Sequence, residues 1–381
     1  MKTTHTSRRL DRPVRIVFLG PCDAVGGAVP RIVRELSSGL TERGWLVSTK
    51  FWGARSPSEG LAQKALSRAR DALRVAAEVS ADGADVVVIH SGMDWKTIPR
   101  DLLLCARLRR HVSAIILQPH GGHAEWVGDD RPTVFRMLSR DLLRLVDGVF
   151  VLSWEEAVLY ARGEPKVAVR RVTNPFDAIE SPRPAERDVR RSTNLLFVGR
   201  VVETKGVLDA IEAMSLAPGQ ITLTIVGDGP LLPRARALAL TLGLGERVRF
   251  VGRVEGRALQ ALYAMSDVLV LPTYWAEGFP TVLAEAMAAG LGIITTPVRG
   301  TRDYLADEVN CLFVPPRRPE QIAAAIERLH EHEQLLRQMG ESNRQAVQRF
   351  SSNRVFAEYE ESLLQIWRVA RARRRDRRGL E

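Results

Sequence analysis

A chain of 381 residues exceeds one ordinary domain and suits two of roughly 150 to 200 residues each. Its 45% hydrophobic and 26% charged residues are ordinary for a soluble globular protein, and no run approaches the roughly 20 apolar residues of a membrane span. The formal charge of +10 gathers in the tail from Arg368 to Arg378, where seven arginines face one acid, Asp376; no RNA-recognition strand, zinc finger or basic zipper accompanies it, so nucleic acid is not an expected partner.

The N-terminal segment MKTTHTSRRLDRP lacks the apolar block of a secretion signal, which predicts a cytoplasmic protein. Two readings of the basic tail stand side by side: contact with an anionic membrane surface, peripheral on its inner face, or a solvated helix end. Cys22, Cys105 and Cys311 are odd in number and widely spaced, so neither a zinc site nor a disulfide framework is expected.

In chain order, the first predicted strand is VRIVFLG (14–20), followed by PCDAVGGAVPRIVREL. Gly26 and Gly27 stand at the expected start of a helix, where glycines let backbone approach a ligand and free N–H groups attract phosphate; a tight turn explains the pair equally well. Strands follow at WLVSTKFW (45–52), DVVVIH (85–90), SAIILQ (113–118), GVFVLS (148–153) and VAVRRV (167–172), with amphipathic helical stretches between them. The strand 113–118 runs into QPHGGH, so His120 stands at a strand end, able to donate to a sugar hydroxyl or an anion. Its H-x-x-H spacing with His123, next to Glu125, would also suit a metal, but no second cluster supports that reading and no metal is expected.

Three prolines and dense charge in NPFDAIESPRPAERDVRRST (174–193) interrupt any apolar periodicity and mark an interdomain linker. The strand rhythm then restarts with NLLFVGR (194–200), ITLTIVG (221–227), VRFVG (248–252), DVLVLP (267–272), GIITTP (292–297) and CLFVPP (311–316). Short β runs alternating with helices predict a parallel sheet covered by helices in each half: an α/β chain of two Rossmann-like doubly wound domains facing a central cleft. The expected boundaries are 1–173, the linker 174–193, 194–350, and a final segment 351–381 whose Phe356, Tyr359, Leu363, Leu364 and Trp367 fall at helical spacing and must dock on something.

Open α/β sheets bind ligands beyond the carboxyl ends of their strands, so chemistry is sought there. FVGRVVETKGV places Gly199, Arg200 and Lys205 after a strand, two cations suited to a diphosphate or simply two surface charges. Gly227 opens the turn GDGP after the next strand. WAEGFPTVLAEAMAAG follows strand 267–272, with Glu277 ahead of a helix and Glu285 two turns inside it; eight helical residues advance about 80 degrees beyond two full turns, which lets both carboxylates face one cleft. A carboxylate accepts well from ribose hydroxyls, and the N–H groups of the Gly278 to Val282 turn suit phosphate. The bland alternative makes Glu277 a cap and Glu285 an exposed charge, yet Glu285 sits among Val282, Leu283, Ala284, Ala286 and Met287. No D-x-D occurs, which disfavours a metal-bound diphosphate and leaves Arg200 and Lys205 to supply positive charge.

These residues resemble glycosyltransferase family 4, group 1 transferases with the GT-B fold: Glu277 and Glu285 form its E-x(7)-E motif, joined by FVGR with Lys205 and by GDGP. The resemblance is specific over the second half; the first half matches through the glycine loop and His120. It implies a retaining, metal-independent transfer of a sugar from a nucleotide-diphosphate sugar of UDP or GDP type, held by the C-terminal domain, to a saccharide or lipid-linked acceptor on the N-terminal domain, as in cell-surface polysaccharide or glycoconjugate synthesis. No cofactor is implied. By position, Arg200 and Lys205 would bind the diphosphate, Glu285 the ribose, Glu277 the sugar ring, and Val254 would lie by the base; Gly278, Phe279, Thr281 and Val282 would complete the phosphate cradle through their backbone. His120 would orient a donor hydroxyl, and the last helix would return to the first domain. One departure is PVRGTRDYLAD after strand 292–297, where relatives carry paired glycines before Pro-Glu; Arg299 and Arg302 there either reshape the pocket edge or belong to a structural loop. Competing readings are a nucleotide-sugar epimerase and a non-catalytic nucleotide-sugar-binding protein on the same scaffold.

Overall fold

The computed structural model describes residues 12–21, 28–53, 61–122, 124–128, 133–176, 192–275 and 278–378. The glycine-loop expectation for Gly26 and Gly27, the Glu277 expectation, the His123 position and most of the linker fall outside these residues. The chain divides into two compact units, Met1–Pro175 with Ser352–Glu381, and Phe176–Ser351.

Unit 1 holds β1 (Arg15–Gly20), β2 (Leu46–Phe51), β3 (Val86–Ser91), β4 (Ala114–Pro119), β5 (Gly148–Val151) and β6 (Ala168–Arg171), joined in the order β2-β1-β3-β4-β5-β6. Unit 2 holds β7 (Thr193–Val198), β8 (Ile221–Val226), β9 (Val248–Gly252), β10 (Val268–Leu271), β11 (Gly292–Thr295) and β12 (Leu312–Phe313), in the order β12-β11-β10-β7-β8-β9. All pairings between these strands are parallel. Parallel strands need helical crossovers that cover both faces of the sheet, which is why inner strands such as β3, β4, β10 and β11 are buried along their whole length, while the edge strands β2 and β6 are partly exposed and carry polar residues. The first eleven strands lie within two residues of their expected bounds, whereas β12, expected over 311–316, covers only Leu312–Phe313.

The strand orders decide where a ligand can sit. Each sheet reverses its winding direction once, in unit 1 between β1 and β3 and in unit 2 between β7 and β10. At such a reversal the adjoining loops leave on opposite faces and open a crevice at the strands' carboxyl ends.

Alternation along the unit 1 strands fills two cores. Val17 and Leu19 pack on one face with Val87, Ile89, Ile115 and Leu117; Ile16 and Phe18 pack on the other with Val88, Ile116 and Phe150. The second face is closed by the final helix, Ser352–Arg378, which contributes Phe356, Tyr359, Leu363, Ile366 and Trp367. Burying such side chains stabilises by about 1.5–3 kcal/mol each, enough to hold a helix whose end carries so many arginines. The Tyr359 ring meets Phe150 edge-on at 4.9 Å, and its hydroxyl donates to Gln118 Oε1 at 2.7 Å. Among the described residues, no helix is long and apolar enough to cross a membrane. Cys105 and Cys311 are buried free thiols.

Candidate functional site

In unit 2 the site is assembled from backbone before side chains. After β7, Gly199 N–H donates to Val226 O at 3.0 Å and Val201 N–H to Asp228 O at 2.9 Å, so the FVGR exit and the GDGP turn are stitched together. The stitching requires close backbone approach: a Cβ on Gly227, whose φ is +138°, would stand 1.8 Å from Gly199 O. Beyond Arg200 the chain makes a 3-10 turn, Glu203–Lys205. The carbonyl of Thr204 in that turn accepts from Thr273 Oγ1 at 3.1 Å, Tyr274 N–H at 3.0 Å and Trp275 N–H at 3.3 Å. Lys205 is thereby tied to the exit of β10 across the winding reversal, where it sits half-buried, while Arg200 is exposed.

The helix after β10 differs from expectation. It runs Thr281–Ala289, with Pro280 extended at its N-cap (φ −63°, ψ 128°), so residues 278–280 are not helical. Eight helical steps therefore do not separate Glu277 from Glu285, and Glu285 lies one turn inside the helix rather than two. The cause is Pro280, which has no N–H and biases the residue before it toward extended backbone. The N–H groups of Thr281 and Val282 then open the helix, in the place where a helix N-terminus attracts an anion.

Glu285 is half-buried and accepts from the Tyr263 hydroxyl at 2.8 Å. Tyr263, 3% exposed on helix Gly256–Ala264, fixes the carboxylate from the core side. This partner answers why a carboxylate is tolerated in so apolar a stretch, and the reading of Glu285 as a merely exposed charge does not fit it. The Phe279 side chain is spent on packing: it stacks on Phe350 at 5.0 Å and meets Tyr304 at 4.9 Å, leaving its backbone for other contacts. Val254, beyond β9, is half-buried against the unit 2 core.

The departure after β11 is structural on one side and exposed on the other. Arg299 is 4% exposed with φ 32°, whereas Arg302 is exposed. Gly300 lies directly on the Gly278 turn, where an added Cβ would stand 1.1 Å from Gly278 O. This loop is a wall of the turn that precedes helix Thr281–Ala289.

In unit 1, β3 and β4 are in register with His90 opposite Gln118, and His120 N–H extends the ladder by donating to Ser91 O at 2.8 Å. The exit of β3 is pinned by a buried network: Ser91 Oγ donates to Asp101 at 2.5 Å, and Trp52 Nε1 donates to the other Asp101 oxygen at 2.8 Å. Burial raises the Asp101 carboxyl, opposed by Arg100 and these hydrogen bonds. His120 does not stand alone at the strand end. Its Nε2 lies 2.6 Å from His90 Nδ1, with the rings stacked at 4.9 Å. His90 escaped the sequence reading although it ends the strand DVVVIH, where the strand-end rule that selected His120 applies equally. Among the described residues no group of three His, Cys, Asp or Glu is placed to hold a metal ion.

Burial pushes His120 down to about 4 and His90 well below the ordinary histidine range, the latter aided by His120. Both rings are neutral in the fold, while the unfolded chain takes up protons near pH 6.5. Stability is therefore complete above about pH 6.5 and is lost as the pH falls toward 4, His120 alone costing roughly 2 kcal/mol between pH 7 and pH 5. Urea denaturation at the two pH values should show a larger loss in the wild type than in His120→Asn; equal losses would remove the histidine contribution.

Residues 182–346 match the family model of glycosyl transferases group 1. An uncharacterized glycosyltransferase of Methanocaldococcus jannaschii, MJ1607, is 36% identical over 137 residues, 35% of each chain. The chain spans 24% to 53% of the length of the first curated relatives it matches. Among solved structures, the sucrose-phosphate synthase of Thermosynechococcus elongatus superposes with a TM-score of 0.77 at 20% identity, over 93% of this chain and 100% of that one. HepE of Anabaena, solved with UDP-glucose, gives 0.71 at 16% identity over 92% and 99%. Two parallel, doubly wound α/β units with these neighbours give the protein the GT-B fold, and its second unit carries the segment matched by the group 1 glycosyl transferases.

Proposed function

We propose that the protein is a retaining, metal-independent glycosyltransferase that moves a sugar from a nucleotide-diphosphate sugar of UDP or GDP type to a saccharide or lipid-linked acceptor. The observation that carries this reading is that the Arg200–Lys205 loop is bonded on one side to the β10 exit across the winding reversal and on the other to the Gly227 turn, with a helix start and a core-anchored carboxylate following β10. That constellation lies within the segment matched by the group 1 family, and the UDP-glucose complex of HepE lends it a donor class.

In this mechanism the bond from the anomeric carbon to the diphosphate loosens while positive charge grows on the ring. Arg200, Lys205 and the N–H groups of Thr281 and Val282 take up the departing negative charge, the largest single contribution expected. Glu285 accepts from the ribose hydroxyls, Glu277 contacts the sugar ring, and His120 donates to a sugar hydroxyl. Nothing in the site favours the epimerase or the non-catalytic reading.

The test is a thermal-shift panel with UDP, GDP, ADP and their sugar conjugates, on the wild type and on Glu285→Gln. Glutamine keeps an acceptor for Tyr263 while removing the charge, so folding and ligand effects separate. One nucleotide class should stabilise the wild type, by about 2.7 kcal/mol at 100 times its Kd, with a much smaller shift in the variant. Equal shifts in both proteins would remove Glu285 from the donor site.

A further inference from the structure

Two neutral imidazoles 2.6 Å apart share one proton, and the surroundings decide which ring owns it. His90 and His120 lie on the same face of the unit 1 sheet, since His90 is opposite Gln118 and His120 is two residues further along the adjoining chain. His90 is 3% exposed, packed beside the Phe18 ring at 5.7 Å, and its Nε2 is buried with no hydrogen-bond partner among the described residues.

Two proton placements are available. If His120 Nε2–H donated to His90 Nδ1, neutral His90 would have to carry its own proton on Nε2, leaving a buried N–H without an acceptor. If His90 Nδ1–H donates to His120 Nε2, the buried Nε2 is only an unused lone pair. An orphaned N–H is the rarer and costlier of the two outcomes. The second placement leaves His120 with its proton on Nδ1.

We infer that His90 is a positioning residue that locks His120 as the neutral Nδ1–H tautomer, making His120 a fixed hydrogen-bond donor through Nδ1 toward a hydroxyl oxygen of the sugar substrate. The assignment of His120 to sugar rests on the function proposed above; the tautomer does not. The hydrogen bond made by one ring nitrogen sets what the other presents, and here the presented group is a donor that needs no charge. It follows that His120 neither accepts a proton through Nε2 nor acts as a cation near neutral pH, which fits a contact that orients a hydroxyl rather than one that carries acid–base chemistry.

Long-range proton–nitrogen correlation spectra of the full chain labelled in its histidine rings test this at pH 7. The wild type should show His120 and His90 both protonated on Nδ1, and a proton on His120 Nε2 would overturn the inference. In His90→Phe the His120 tautomer preference should be lost and kcat should fall about tenfold or more with little change in KM, the range seen when an outer-shell partner of a functional histidine is removed. His90→Asn, whose amide nitrogen can stand where Nδ1 stood, should restore both the tautomer and most of kcat. A His90→Phe variant that loses the tautomer but keeps its kcat would overturn the positioning role; if that variant does not fold, the wild-type spectrum still decides the proton placement. Failure of the transferase reading would appear separately, as a wild type with the expected spectrum and no transfer from any nucleotide sugar.

Discussion

Replacing Lys205 by alanine is expected to lower kcat/KM by roughly 10²- to 10³-fold, the cost of removing one preorganised group that stabilises departing charge. The magnitude follows from placement. Lys205 is half-buried, and the three hydrogen bonds on the neighbouring Thr204 carbonyl hold its turn to the exit of β10, so its charge is neither freely hydrated nor free to drift. Arg200 is exposed at the same rim, where water and salt screen a charge more strongly, and Arg200→Ala should cost less. Steady-state rates with the nucleotide sugar found in the thermal-shift panel would check both, and most of the Lys205 loss should fall on kcat. Lys205→Ala with nearly unchanged kcat/KM would mean that the diphosphate departs without it.

The sheets were readable from the chain because parallel strands buried on both faces leave continuous apolar runs that end at glycine, proline or a polar turn: VFLG before Pro21, LTIVG before Asp228. Strand order was not readable, since local pattern says nothing about which run lies beside which, and the winding reversals that place Lys205 next to the β10 exit emerge only from pairing. The same holds for side-chain partners. Tyr263 lies 22 residues from Glu285 and His90 lies 30 residues from His120, so each pairing exists only once the strands and helices are stacked. The helix start at Thr281 was misplaced for a local reason, in that Pro280 stops the helix from reaching back toward Glu277. The EGFPTVLAE stretch therefore follows β10 as its position after strand 267–272 implies, but residues 278–280 lack the helical geometry assumed for it.

Gly227→Ala is expected to destabilise unit 2 by roughly 2 to 6 kcal/mol and, in whatever fraction still folds, to abolish selective stabilisation by nucleotide. Two costs add. A side chain at φ +138° sits in backbone that L-residues rarely adopt, which costs about 1–3 kcal/mol. The new Cβ would also stand 1.8 Å from Gly199 O, so the FVGR exit must move away, with an overpacking cost of about 1–3 kcal/mol. That movement breaks the bonds from Gly199 N–H to Val226 O and from Val201 N–H to Asp228 O, which define the path of the chain into Arg200 and Lys205. A glycine with no charge of its own therefore governs where two cations stand. Gly219, where an added Cβ meets nothing within 4 Å, supplies the control: Gly219→Ala should leave the melting temperature and the nucleotide response close to wild type. Comparing the two variants by urea denaturation and by nucleotide-induced thermal shift separates a general glycine effect from this contact. Similar behaviour of both would mean that the rim tolerates displacement of the Gly199 backbone, and that the cations are positioned from the Thr204 side alone.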